Sequence, residues 1–231
     1  GYKPHLSPSN FDEAFMTDMV NFNPQEIEHA AHAISAVTHA VPGLRQAVYE
    51  TIGLFWIDPI KRKRREKNLK AEFKMAEEMI KGKKRLDDIS ATLAKEVLEP
   101  AMEEDREELQ KIWAALLARL MIGELSTIRA EWIEIIKKLQ PIDAGVLFLI
   151  KEESKNSYIE FSAAKVFVNA RRLYNNINFD DLDITLSLDS LSRYGILIYS
   201  SNSDVNSPNP TYYITKIGQK IMEIISPPES K

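Results

Sequence analysis

EEDREELQKIWAALLARLMIGELSTIRAEWIEIIKKLQPIDAGVLFLI, residues 103–150, is the stretch whose reading decides the fold. Within it Leu109, Ile112, Trp113, Leu116, Leu117, Leu120 and Met121 recur at i, i+3, i+4, i+7, i+8, i+11 and i+12, which winds into one apolar stripe on a helix. Glu103, Glu104, Asp105, Glu107 and Glu108 stand where they complement the positive end of that helix's dipole. Gly123 is placed to close the helix in a left-handed cap. Ile128, Trp132, Ile135, Ile136 and Leu139 repeat the period behind Ser126 and Thr127, either of which suits an N-cap. Pro141 stops this second helix and suits the first turn of a third, whose Ile142, Val146, Leu147, Phe148, Leu149 and Ile150 are apolar on nearly every side. A short helix of that kind belongs in the middle of a bundle.

Upstream, Asn23-Pro-Gln-Glu starts a helix running to about His39, and Pro42 and Gly43 break it before a second that carries Leu44, Ala47, Val48, Ile52, Phe55 and Trp56 on one side. From Pro59 to about Lys81, Ile60, Leu69, Phe73, Ala76, Met79 and Ile80 interrupt a charged run, which predicts a long helix with a narrow apolar stripe. Glu66 and Lys70 stand at the favourable i, i+4 spacing. After a turn at Gly82, Asp87 or Asp88 caps a further helix with Ile89, Leu93, Val97 and Leu98, and Pro100 leads out of it. Residues 1–22 read as a tail and 23–152 as one all-helical domain.

The character changes after Lys151, where Gly, Asn, Ser and Pro become common. Helices around Phe161–Leu173 and Leu182–Tyr194, a strand at Ile196–Tyr199, the loop SNSDVNSPNP, a strand at Tyr212–Ile214 and a helix from Thr215 to Ile225 follow one another. Helix, helix, hairpin, helix is close to the order of a winged-helix module. The expected fold is therefore mainly α: an N-terminal multi-helix bundle followed by a winged-helix-like α/β module over 153–231.

The run LEPAMEEDREELQKIWAALLARL at 98–120, with QPIDAGVLFLI at 140–150, resembles the Abi-alpha (abortive infection alpha) family of bacterial phage-resistance proteins. PGLRQAVYETIGLFWIDPIKRKRREKN at 42–68, LDSLSRYGIL at 188–197 and TYYITKIGQKI at 211–221 extend the resemblance from about Pro42 to the C-terminus. These motifs are mostly core patterns, so the resemblance implies ancestry and fold more than chemistry. It implies antiphage defence, as sensor or effector, through contacts with a protein partner of host or phage.

Composition sets the outer bounds. The chain has 231 residues, 44% of them hydrophobic, enough to bury a real core without staples. Zero Cys excludes disulfides and thiolate metal sites and, with no secretory signal, fits a cytoplasmic protein. The net charge of −4 hides one basic block: residues 61–85 carry 12 cations against 4 acids. Lys61, Arg62, Lys63, Arg64, Arg65 and Lys67 form the candidate anion-binding site, a handle for nucleic acid or, with GLFWI at 53–57 beside it, for a membrane surface at which the protein would sit peripherally. No aromatic residue is interleaved for base stacking.

Other chemistry is thinly supported. His29 and His32 share a helical face at i, i+3, and Glu26 with His29 makes one Glu-x-x-His, but di-iron bundles use that unit in pairs, and ordinary surface histidines explain these better. His39 is too distant to complete a set. The acids at 103–108 are better explained by a helix dipole than by a metal. There is no glycine-rich phosphate loop, no Gly-x-Ser-x-Gly elbow and no Cys nucleophile, so neither catalytic residue nor cofactor is expected. Asp180, Asp181, Asp183 and Asp189 against Arg193, with Asp204 in the wing loop, would repel DNA phosphates from the module, and Lys165, Arg171 and Arg172 are too few to reverse that. The module therefore reads as one that packs against the bundle or holds a protein.

Overall fold

The computed structural model describes residues 44, 47, 59–125, 129–154, 160–162, 181–199 and 211–229. Seven helices and three strands have described bounds: α1 (Pro59–Met79), α2 (Ala91–Glu103), α3 (Glu107–Ile122), α4 (Ala130–Lys138), α5 (Pro141–Ser154), β1 (Glu160–Ser162), α6 (Asp181–Arg193), β2 (Leu197–Tyr199), β3 (Thr211–Ile214) and α7 (Lys216–Ile224). The protein is mainly helical, with one small antiparallel sheet. The readings made for residues 1–43, for Trp56 and for residues 163–173 lie outside the described residues, while Leu44 and Ala47 are helical and fully buried.

α3 is the axis of the core. Every side chain from Ile112 to Met121 is buried, Trp113 among them, because the stripe expected from periodicity is flanked by Ala114, Ala115 and Ala118, small enough to let neighbouring helices close over the remaining faces. Gly123 ends the helix at φ 78°, and its N–H returns to the carbonyls of Arg119 and Leu120, the left-handed cap expected of it. α1 and α2 pack along one side of α3 and α5 along another. α5 is buried from Asp143 to Leu147 and again at Leu149 and Ile150, as a central helix should be. Trp132, on the short helix α4, is only partly buried and rests on the core from outside.

Four local expectations fail. α2 does not stop at Pro100 but runs through it to Glu103. A proline this close to the C-terminal end removes only one hydrogen bond, and the burial of Ala101 and Met102 holds the last turn in place. Its N-cap is Ser90, whose Oγ accepts from the Leu93 N–H at 3.4 Å, whereas Asp88 accepts from Ile89 in the preceding turn. α4 begins only at Ala130, behind Arg129 and with no side-chain cap, later than the start expected from Ser126 and Thr127, which lie outside the described residues. Phe161 lies in β1 rather than opening a helix.

The sheet order is β1-β3-β2, both pairs antiparallel, with Phe161 opposite Tyr212 and Tyr212 opposite Tyr199. Gly195 at φ 72° ends the α6 region and turns the chain into β2. Thr215 caps α7, its Oγ1 accepting from the Gly218 N–H at 3.0 Å. The core is continuous from α1 through α3 and α5 into α6, the sheet and α7. Asp143 of α5 helps to close it: its carboxylate accepts from Ser187 Oγ of α6 at 2.6 Å and from the Gln140 N–H at 2.8 Å. No helix among the described residues is long and apolar enough to cross a membrane.

Candidate functional site

α1 separates its charges by face. Asn68, Leu69, Glu72, Phe73 and Ala76 are buried, and Ile80, just past the helix, continues their row, so this side lies against α2 and α3. Asn68 fixes the rotation: its amide donates to the Met102 carbonyl at 3.1 Å and its Oδ1 accepts from Gln110 at 3.2 Å. With that face inward, Lys63, Lys67, Lys70 and Lys74, spaced i, i+4, i+7 and i+11, line the opposite side and are exposed.

The six candidate anion-binding residues are therefore not all presented alike. Lys61, Lys63 and Lys67 are exposed. Arg64 and Arg65 both turn to Glu103 at the end of α2, Arg64 Nη2 at 2.6 Å from its carboxylate and Arg65 through Nε and Nη2. Burial alone would raise the Glu103 carboxyl, but the hydrogen bonds from Arg65 and Arg64 outweigh it and hold it below the usual carboxylate range. The side chain of Arg62 lies outside the described residues. Lys70 and Lys74 continue the lysine row, and a helical wheel of α1 carries the signal for them.

The acids at the α2–α3 corner are also engaged. A cavity of about 440 Å³ opens there, lined by Glu103, Glu104, Asp105, Arg106, Trp113 and Lys137 among others. Glu104 binds Arg106 through both oxygens at 2.7 and 2.9 Å, and Arg106 reaches on to Gln140 at 3.1 Å. Among the described residues no three acidic or histidine side chains converge as a metal site. Beneath the corner lies Glu72, fully buried, with neither carboxyl oxygen hydrogen-bonded. Burial pushes its pKa well above the ordinary value, and the charge of nearby Glu104 adds to the effect. A helical wheel carries the signal for it, since Glu72 falls among Leu69, Phe73 and Ala76.

Two further features belong to the C-terminal elements. On the outer face of α6, Leu182 and Leu186 are 63% and 52% exposed, one helical turn apart, with exposed Asp181 and Thr185 beside them. Further along α6 the Tyr212 hydroxyl donates to Tyr199, which donates to Asp189, each at 3.1 Å, and the two rings lie 4.6 Å apart. This chain ties the hairpin to α6. Burial, the Tyr199 hydrogen bond and the Asp189 charge all push the Tyr212 phenol upward, so it remains protonated at any physiological pH. His29, His32, His39, Glu26, the GLFWI run, Lys165, Arg171, Arg172, Asp180 and Asp204 lie outside the described residues.

A family model described as abortive infection alpha matches residues 61–227, from the first cation of α1 to just beyond α7. No curated protein and no solved structure matches the chain.

Proposed function

The chain belongs to the abortive infection alpha family, hence to phage defence, and from that premise we propose that it works as a sensor or effector by holding a protein partner of host or phage origin, without catalysis of its own. A location in the bacterial cytoplasm goes with this reading. Residues 153–231 form its partner-holding module. Their sheet order β1-β3-β2, with α6 before the β2–β3 hairpin, fits a winged helix in which α6 takes the place of the recognition helix.

The observation that carries the proposal is the outer face of α6. In a DNA reader that face presents cations and amides to the groove. Here it presents Leu182 and Leu186 to solvent beside acidic side chains, which disfavours phosphate and suits an apolar protein contact. The test is phage challenge of cells producing the Leu182→Ser, Leu186→Ser double variant. Both side chains are already exposed, so abundance and melting temperature are expected to match wild type while protection is lost. Full protection by the double variant refutes the proposal.

A second reading, attachment to an anionic surface through α1, is favoured by the lysine row at 63, 67, 70 and 74.

A further inference from the structure

We infer that the outer face of α1 is a track for the phosphate backbone of double-stranded nucleic acid, bound without regard to sequence; this rests on the second reading above and names its ligand. Lys63, Lys67, Lys70 and Lys74 are exposed in one row on the side of α1 opposite its buried face. Among the described residues Lys63, Lys67 and Lys74 make no ion pair, and Lys70 holds Glu66 at 2.9 Å. The row spans roughly 16 Å at the helical rise of about 1.5 Å per residue. A duplex presents about ten phosphate charges over that length. Past the end of the row stand Glu77, bound to Arg85, and Glu78, so the cationic character is confined to the first four turns or so of the helix.

Three observations choose this ligand over its rivals. The row is entirely lysine, a set of point charges suited to phosphate, while Arg64 and Arg65, whose forks could read guanine, are turned to Glu103. Phe73, the single aromatic residue of α1, is buried, so this face offers nothing for the unstacked bases of a single strand. A helix that lies on a membrane inserts its apolar face into lipid, and the apolar face of α1 is covered by α2 and α3.

The experiment uses the full chain, a labelled 20-base-pair DNA duplex and fluorescence anisotropy from 50 to 200 mM salt. Four phosphate contacts predict a loss of affinity of about two orders of magnitude across that range. Affinity should be the same for a duplex of scrambled sequence. Changing Lys63, Lys67, Lys70 and Lys74 together to Glu should abolish binding, and changing them to Gln, which keeps most of their length, should weaken it at least tenfold even if the Glu variant fails to fold. Binding by the Gln variant equal to wild type, or binding indifferent to salt, overturns the inference. A parallel arm offers vesicles containing phosphatidylserine. Lysine-dependent binding to vesicles without binding to duplex overturns the nucleic-acid inference and leaves the anionic-surface reading standing, whereas binding to neither removes both.

Discussion

Replacing Glu72 by Met should stabilise the protein, increasingly so as pH rises. Glu72 is fully buried between α1 and its neighbours, and both its oxygens lack a hydrogen-bond partner. An unsatisfied polar group in such a place costs about 1–3 kcal/mol, and a methionine fills similar volume without that cost. A second contribution depends on pH. The folded-state pKa is raised well above 4.5 by burial first and by Glu104 second. A raised carboxyl favours the folded state most below the unfolded value and loses that contribution as pH climbs toward the folded one, because there the native protein holds a proton that the unfolded chain has released. Wild type therefore loses up to about 1.4 kcal/mol per pH unit above 4.5 from this group, levelling off where the buried carboxyl ionises. The Glu72→Met variant has no such slope. Urea unfolding of both proteins at pH 5, 6 and 7, fitted with a common m-value, reads the gap directly. The other acids, Asp143 included, are present in both proteins and cancel. A gap that stays constant with pH, or a variant less stable than wild type, would refute the placement of Glu72 as a buried, unpaired acid.

Two further substitutions test the packing of the C-terminal elements. Gly218→Ala should destabilise by about 1–3 kcal/mol or more, since the new Cβ would stand 2.2 Å from the Ile196 carbonyl oxygen and 2.9 Å from Ile214 Cγ2; a thermal melt unchanged from wild type would contradict that close approach. Ser187→Ala removes the 2.6 Å hydrogen bond to Asp143 and should cost about 1.5–3 kcal/mol near neutral pH. That bond lowers the Asp143 carboxyl against the upward push of burial, so the variant's carboxyl should titrate higher still, measurable by following its side-chain carbon resonance against pH.

The same contacts explain why a helical bundle and a small sheet share a core. α5 is covered by α3 on one side and by α6 on another, so the side chains of Asp143, Ala144, Val146 and Leu147 are enclosed by elements from both halves of the chain. Arg119, almost fully buried at the end of α3, donates to the Ser226 carbonyl beyond α7 at 3.2 Å and to Glu124 at 2.6 Å. Neither half could present these surfaces to water without exposing large apolar areas. The outward faces of α1 and α6 are thus carried on helices that pack into a single core, which fixes where those faces stand.

What could be read from the chain follows the range of the interactions involved. Helices α1, α3, α5, α6 and α7 were legible because their determinants are local: a period near 3.6, Gly123 and Gly195 as stops, Pro141 at a start and Thr215 as a cap. β1 was not, because a three-residue strand has no period of its own and exists by pairing with β3, about fifty residues away. The extension of α2 past Pro100 escapes local rules for the same reason, since it depends on the burial of Ala101 and Met102 under helices whose packing no local rule foretells. In the candidate site, the six cations at 61–67 look alike as a string. Glu103, nearly forty residues later, pairs with Arg64 and Arg65, next to the point where Asn68 holds α1 against the Met102 carbonyl. Helical spacing alone puts Lys63, Lys67, Lys70 and Lys74 in one row, and the burial of Asn68, Leu69, Glu72, Phe73 and Ala76 turns that row to solvent, so the exposed basic face is set by what the helix buries rather than by the density of positive charge in the sequence.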